Sequence, residues 1–335
     1  MDGFNLPSEM KALEYSAPRT PRVVEKRLPV IRKHELLIKV KACGVCGTDL
    51  HIHRGEFGAQ FPIVPGHETV GVVAAFGSKV KGLSVGDRVV ADNSELCGEC
   101  FYCRRGAELF CENFIAHGVM VDGGFAEYAA YPARRVFPIK GISDVEGPCA
   151  AHGIDKIAPH MGSSVLLFGA GPTGLVLAQL LRLNGGCSVV MAAPEGVKMA
   201  LAKSLDAADE YIDLPRDQTA AAAVLDKLQY DNPHGFDIVI EATGSAKVLE
   251  RALDFVRKGG KLVVYGVYKD DDRIALPPNK IFKEEIHFPA AIDYLESGKV
   301  RVTGIVNRVF RVEEWEECLE ARRTKRVIKA AIVFD

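Results

Sequence analysis

Four cysteines, Cys97, Cys100, Cys103 and Cys111, in the run CGECFYCRRGAELFC, make the most specific chemical pattern in the sequence. Thiolates at this spacing on one loop can close a tetrahedron around Zn2+ with no coordination position left open, which makes such a site structural. Gly98 and Gly106 let the loop fold back on itself. The plain alternative is four unconnected thiols. A second group joins Cys46, in the run CGVCGTDLH at 43–51, to His67 and Glu68 in PGHE at 65–68. Three donors from two segments leave room for water or substrate, the catalytic arrangement. On spacing alone, His67-Glu68 could equally be a surface pair and Cys46 a core thiol; Cys43 is assigned to packing. A third pattern, GAGPTG at 169–174, matches G-x-G-x-x-G through Gly169, Gly171, Pro172, Thr173 and Gly174. The first glycine permits a tight turn, the second lets backbone approach a pyrophosphate, and the third lets helix pack on strand. Read without its context, the same run is only a glycine-rich turn.

The elements that must position these groups come in two textures. Up to about residue 140 the sequence gives short β-rich runs broken by Gly and Pro, such as 35–40 (ELLIKV), 69–75 (TVGVVAA) and 87–91 (DRVVA). Strands without helices between them predict a barrel-like or irregular β domain. From about 163 to 267 apolar strands alternate with helical stretches. Strands are expected at 165–168, 188–192, 236–244 and 261–267, with helices at 174–183, 197–205 and 246–256. Continuous apolar strands between amphipathic helices predict a parallel, doubly wound α/β sheet. β-like runs return at 306–312 and 327–334, around a short helix holding Trp315, and the alanine run at 220–223 is expected on an exposed helix.

The 335 residues favour two domains at about 150 residues each. With 48% apolar and 26% charged residues, 32 Gly and 17 Pro, the chain is globular rather than disordered, collagenous or coiled-coil. A formal charge of −2 excludes nucleic acid as the main partner. No apolar run is long enough to span a bilayer, and no secretory leader is evident, so a cytoplasmic protein is expected. In that setting the nine cysteines suggest metal or thiolate chemistry rather than a disulfide framework. At the end of the second strand of the doubly wound part, where an acid would bond the ribose of NAD, stands Ala193. Lys198 follows and could pair with a 2′-phosphate. Glu195 complicates the argument, and the missing acid favours NADP over NAD.

GVCGTDLH at 44–51, PGHETVGVV at 65–73, the four-cysteine loop and GAGPTG, in this order, resemble the zinc-dependent medium-chain alcohol dehydrogenases, in particular their polyol branch (sorbitol, xylitol and arabinitol dehydrogenases). The resemblance implies a GroES-like catalytic domain at 1–150, completed by 299–335, with a Rossmann dinucleotide-binding domain at 151–298 inserted between. It implies two zinc ions, one catalytic on Cys46, His67 and Glu68 and one structural on the cysteine loop. Thr48 would accept the alcohol proton, His51 would pass it on, and Asp49 would hold His67 in its tautomer. Thr243 joins the cofactor contacts. The implied substrate is a small polyol or its ketose, and the implied assembly a homo-dimer or homo-tetramer. The chain departs from the family where a further zinc ligand is expected: the run at 144–152 is several residues short, with Glu146 the nearest match and Cys149 a fallback. A second shortening follows His287. For a polyol pocket, His53, Arg54, Glu56 and Glu146 are candidate hydroxyl partners; they could equally be solvated loop charges. The rival readings are a zinc-independent quinone or enoyl reductase of the same fold, which lacks the metal residues, and a non-catalytic dinucleotide-binding relative.

Overall fold

The computed structural model describes residues 6–56, 58–106, 110–145, 159–183, 186–268, 272–275, 304–324 and 326–334. The chain divides into two compact units, Met1–Ala151 with Val306–Asp335, and His152–Ile305.

The first unit opens with an antiparallel pair, β1 (Glu9–Tyr15) and β2 (Pro21–Arg27). Its spine is β3 (Glu35–Val45), whose eleven residues run through the core. A short helix, α1 (Gly47–Arg54), leaves the end of β3 directly. There follow β4 (Thr69–Phe76), β5 (Arg88–Ala91), the small pair β6 (Ser94–Glu95) and β7 (Ile115–Ala116), then β8 (Tyr128–Pro132) and β9 (Val136–Pro138). β4 pairs along β3 on one edge, and β8 pairs with residues 35–39 of the other. The rest of that edge, from Ala42 to Val45, pairs with a strand from the end of the chain. Val, Ile and Leu at 36–40 and 70–73 face both layers of this curved sheet, which explains why they read as near-continuous apolar runs.

The second unit is the doubly wound sheet. Its strands are β10 (Ser164–Phe168), β11 (Ser188–Pro194), β12 (Glu210–Leu214), β13 (Phe236–Glu241) and β14 (Val256–Val264), all parallel, in the order β12-β11-β10-β13-β14. Between them run α2 (Pro172–Leu183), α3 (Val197–Ser204), α4 (Gln218–Asp231) and α5 (Ala246–Ala252). α4 carries the alanine run, largely exposed, and is capped by Asp217, whose side chain accepts from the Ala220 N–H at 2.9 Å. The helix expected to reach Val256 stops at Ala252. A 3-10 turn at Leu253–Phe255 sends Phe255 into the core against Phe168, ring centroids 5.8 Å apart, and Val256 already belongs to β14. Burial of an aromatic overrides helical periodicity there.

The chain then returns to the first unit with β15 (Val306–Phe310), α6 (Trp315–Arg323) and β16 (Lys329–Val333); β16 lies antiparallel to β3. Trp315 anchors this return: its Nε1–H donates to Tyr15 Oη at 2.5 Å. Among the described residues no helix is long and apolar enough to cross a membrane.

Candidate active site and cysteine loop

The turn from β3 into α1 and the residues just before β4 build the first site. Because β3 and β4 are antiparallel neighbours in register at Cys43 and Thr69, the end of one strand faces the start of the other. Cys46, at the mouth of α1, therefore meets His67 and Glu68, and one ligand atom from each lies within 4.8 Å of the others. Asp49 is buried in the first turn of α1. Its Oδ2 accepts from the Cys46 N–H at 2.7 Å, and its Oδ1 stands 3.6 Å from His67 Nδ1. Thr48 Oγ1 lies 3.9 Å from Cys46 Sγ. His67 Nδ1 and Asp49 Oδ1 make no hydrogen bond within ordinary reach, so each is a buried polar atom still short of a partner.

Electrostatics here favour a thiolate on Cys46 and a proton on His67, which a bound metal would displace from the ring. Burial pushes the Cys46 thiol up, but His67 and the ammonium of Lys329 outweigh burial and hold it lowered to about 6. Burial would lower His67; the Asp49 carboxylate and Cys46 raise it well above its ordinary value instead. A thiolate, an imidazole and a carboxylate around one point suit a borderline-soft divalent cation. The residues present fit the zinc site that the spacing suggested.

Lys329 was not singled out by the sequence reading. It enters from β16, its Nζ donates to Glu68 Oε1 at 2.6 Å, it also contacts Oε2, and both side chains are buried. A signal for it existed: Lys329 is the lone charge in an otherwise apolar run, VIKAAIV. A lysine buried at such a place needs a paired acid. Glu68 is therefore held by a cation as well as offered to a metal.

His51, one turn beyond Thr48 on α1, has its Nδ1 3.0 Å from Glu56 Oε2. Arg54 Nη1 approaches the same oxygen at 3.7 Å. His53 instead faces Tyr15, with Nδ1 3.0 Å from the hydroxyl. The candidates for hydroxyl recognition thus differ: Glu56 and Arg54 are engaged around His51, and His53 is engaged with the core. Glu146, Cys149 and the segment after His287 lie outside the described residues.

The cysteine loop brings all four sulfurs of Cys97, Cys100, Cys103 and Cys111 within 4.8 Å of one another. Cys97 and Cys111 are 3.6 Å apart and Cys97 and Cys103 4.0 Å, far beyond a disulfide and close to the ~3.8 Å edge of a tetrahedron with ~2.3 Å Zn–S bonds. Backbone N–H groups of Cys97, Cys100 and Cys103 point at neighbouring sulfurs at 3.4–3.5 Å. Gly98 and Gly106 both take positive φ, which lets the loop close. The N–H groups of Glu99 and Cys100 lower Cys97 to about 6, whereas burial and the neighbouring sulfurs raise Cys103 to about 12. Four crowded thiols cannot all ionise unless a cation takes up the charge. This donor set fits a closed zinc site. Cys43, Cys187 and Cys318 are buried.

In the second unit the glycine turn follows β10 and opens α2. Gly169 takes φ +115°. A Cβ at Gly174 would fall 2.0 Å from the Gly169 carbonyl oxygen, so helix and turn touch there; one at Gly171 would meet nothing within 4 Å, which leaves backbone open to a ligand. Pro172 and Thr173 start the helix. Ala193 is buried near the end of β11, opposite Asp213 of β12, whose carboxylate is held by Lys203 at 2.7 Å. Lys198 sits half-buried in the first turn of α3. Thr243 gives its N–H to Glu241 at 2.6 Å and its hydroxyl to the same oxygen. Glu241, buried at the end of β13, was not singled out by the sequence reading.

Two family models match: the alcohol dehydrogenase GroES-like domain over residues 32–141 and the zinc-binding dehydrogenase over 172–301. The chain is 50% identical to D-arabinitol dehydrogenase 1 of Uromyces fabae, covering 98% of each. It belongs to the zinc-binding alcohol dehydrogenase family. That alignment runs over 343 positions, more than the 335 residues of the chain, so the relative carries residues this one lacks. Among solved structures, a zinc-binding dehydrogenase of Sinorhizobium meliloti 1021 bound to NADP shares 28% identity at TM-score 0.85, with 98% of this chain and all of that one covered. An alcohol dehydrogenase of Escherichia coli CFT073 with NADH shares 25% identity at the same TM-score and coverage. The protein is thus an oxidoreductase of the zinc-binding dehydrogenase type. Neither rival reading is favoured.

Proposed function

We propose that the protein reversibly oxidises a secondary hydroxyl of a pentitol such as D-arabinitol to the ketose, with NADP preferred over NAD and two zinc ions per chain. The observation that carries this reading is the convergence of Cys46, His67 and Glu68 within 4.8 Å beside the Thr48 hydroxyl. The similarity to a D-arabinitol dehydrogenase supports the substrate class.

Cys46, His67 and Glu68 would hold the catalytic zinc, which supplies Lewis-acid polarisation of the alcohol oxygen, and Cys97, Cys100, Cys103 and Cys111 the structural one. Asp49 orients the His67 ring through Nδ1, leaving Nε2 for the metal. Thr48 accepts a hydrogen bond from the substrate hydroxyl and takes its proton as its own moves on towards His51. A bound nicotinamide would supply the hydride acceptor. Gly169, Gly171, Pro172, Thr173 and Gly174 would cradle the pyrophosphate, with Thr243 contacting the cofactor through its loop. The catalytic part would comprise residues 1–150 and 299–335, and the cofactor part 151–298.

The preference for NADP rests on what surrounds Ala193. Ala193 offers no carboxylate to the ribose hydroxyls and Asp213 opposite it is tied to Lys203, while Glu195 is the nearest acid in sequence and Lys198 the cation offered to a phosphate. A homo-dimer or homo-tetramer is proposed for the assembly. A panel of pentitols and hexitols assayed with both cofactors tests the reading. A pentitol should give the highest kcat/KM, and NADP should exceed NAD by about tenfold or more, as one charge-assisted contact gives. Failure to oxidise any polyol overturns the substrate class, and a higher kcat/KM with NAD overturns the cofactor preference.

A further inference from the structure

The end of α1 pairs His51 with a carboxylate. Gly55 adopts φ +78°, its N–H donates to the Ile52 carbonyl at 3.0 Å, and the Glu56 N–H reaches back to the His51 carbonyl at 2.8 Å. These two bonds are the Schellman termination, which sets the second residue past the helix beside the last turn. Here that residue is Glu56 and its neighbour is His51, so the Nδ1–Oε2 approach of 3.0 Å follows from the backbone. A Cβ on Gly55 would fall 2.9 Å from Pro18 Cγ on a left-handed backbone, so the turn requires glycine.

The chemistry follows from the tautomer. An imidazole whose Nδ1–H is directed at a carboxylate keeps its lone pair on Nε2, the form that can accept a proton. Arg54 Nη1 stands 3.7 Å from the same carboxylate oxygen. The Glu56 side chain is 25% exposed and that of His51 15%, so the carboxylate is the more open of the two to water.

We infer that Glu56 is the positioning residue of His51 and the outlet of its proton. This rests on the reading of His51 as the relay group. In alcohol oxidation the proton leaving Thr48 is taken by His51 Nε2; Glu56, 3.0 Å from Nδ1, takes the Nδ1 proton and releases it to water. The neutral ring then regains its Nδ1–H form by exchange with solvent. In ketose reduction the same steps run backwards. No oxidant or co-reactant beyond the nicotinamide and the polyol is involved.

The experiment compares Glu56→Gln, Glu56→Ala and His51→Gln in the zinc-loaded enzyme with its best polyol. Glu56→Gln keeps an acceptor oxygen beside Nδ1 but cannot take a proton. Its kcat should fall about tenfold, the lower end of the loss typical when the partner of a functional histidine is removed, while KM and NADPH affinity, read by fluorescence titration, stay within about twofold. Formate, which can enter the space vacated in Glu56→Ala, should restore kcat in a concentration-dependent manner. A merely structural ion pair predicts no such rescue. A parent-like kcat in Glu56→Gln, or a loss in Glu56→Ala that formate leaves unchanged, overturns the inference while His51→Gln remains impaired. Full activity in His51→Gln overturns the relay itself, and with it both readings.

Discussion

The two metal-fitted clusters of the first unit are built by opposite routes. The cysteine loop takes four identical donors from one short stretch, Cys97 to Cys111, and orders them with its own backbone N–H groups. The Cys46 cluster takes three different donors from two strand ends, and its supports are one neighbour, Asp49 in the first turn of α1, and one distant residue, Lys329 of β16. A closed, uniform site made locally suits a metal that stays in place and holds a loop. A mixed site assembled across the sheet leaves a position open and lets surrounding charges tune each donor. The Cys46 cluster therefore depends on the tertiary fold, whereas the cysteine loop depends mainly on itself.

Paired substitutions break this comparison most sharply. Cys46→Ser or His67→Ala should reduce turnover on the order of a thousandfold, equivalent to the several kcal/mol that a Lewis-acid metal supplies, while dinucleotide affinity and melting temperature change little. Cys103→Ser should do the reverse. Its kcat at low temperature stays near the parent value, but the loss of a structural metal costs on the order of 3 kcal/mol and lowers Tm by roughly 6–12 °C. Metal analysis should find one zinc fewer in each variant. Turnover retained in Cys46→Ser, or abolished in Cys103→Ser with unchanged melting, would reverse the roles of the two clusters.

The same contrast explains what could be read from the sequence. The loop was legible because its donors are contiguous and their spacing is the site. The glycine turn was legible because its context, β10 into α2, is local as well. Cys46, His67 and Glu68 were visible as residue types, but only the antiparallel pairing of β3 with β4 shows that they meet. Lys329 and Glu241 are charges buried at the ends of strands, and sequence periodicity marks such positions as apolar without naming their partners. Glu56 reads from the sequence as a candidate for substrate hydroxyls; that the cap at Gly55 also brings it to His51 is a matter of backbone geometry.

Lys329 offers the next test. Lys329→Met removes the ammonium and leaves the Glu68 carboxylate buried without its counter-charge. Breaking a buried pair in this way costs about 3–5 kcal/mol in the metal-free protein. Adding zinc should recover part of the loss if Glu68 can turn its charge to the metal, whereas in Glu68→Leu combined with Lys329→Met zinc should recover less. Equal stabilisation by zinc in both would show that Glu68 serves only as the partner of Lys329. Thermal melts with and without metal read the difference.

The smallest effect separates local from distant tuning at the level of single thiols. In metal-stripped protein Cys46 and Cys97 are both lowered to about 6, but for different reasons. Burial raises Cys46, and His67 and Lys329 overcome it; Cys97 is lowered by the N–H groups of Glu99 and Cys100. Removing a positive neighbour destabilises the thiolate, so Lys329→Met should move the Cys46 titration upward and leave Cys97 where it is. At pH 7, between the lowered value near 6 and the ordinary value of 9.0, less thiolate means slower alkylation at Cys46. Iodoacetamide labelling across pH 5–9, with the modified peptides resolved by mass spectrometry, should therefore show one profile shifted and one unchanged. If both profiles move together, the two clusters share an electrostatic environment, and the loop is less self-contained than its backbone hydrogen bonds imply.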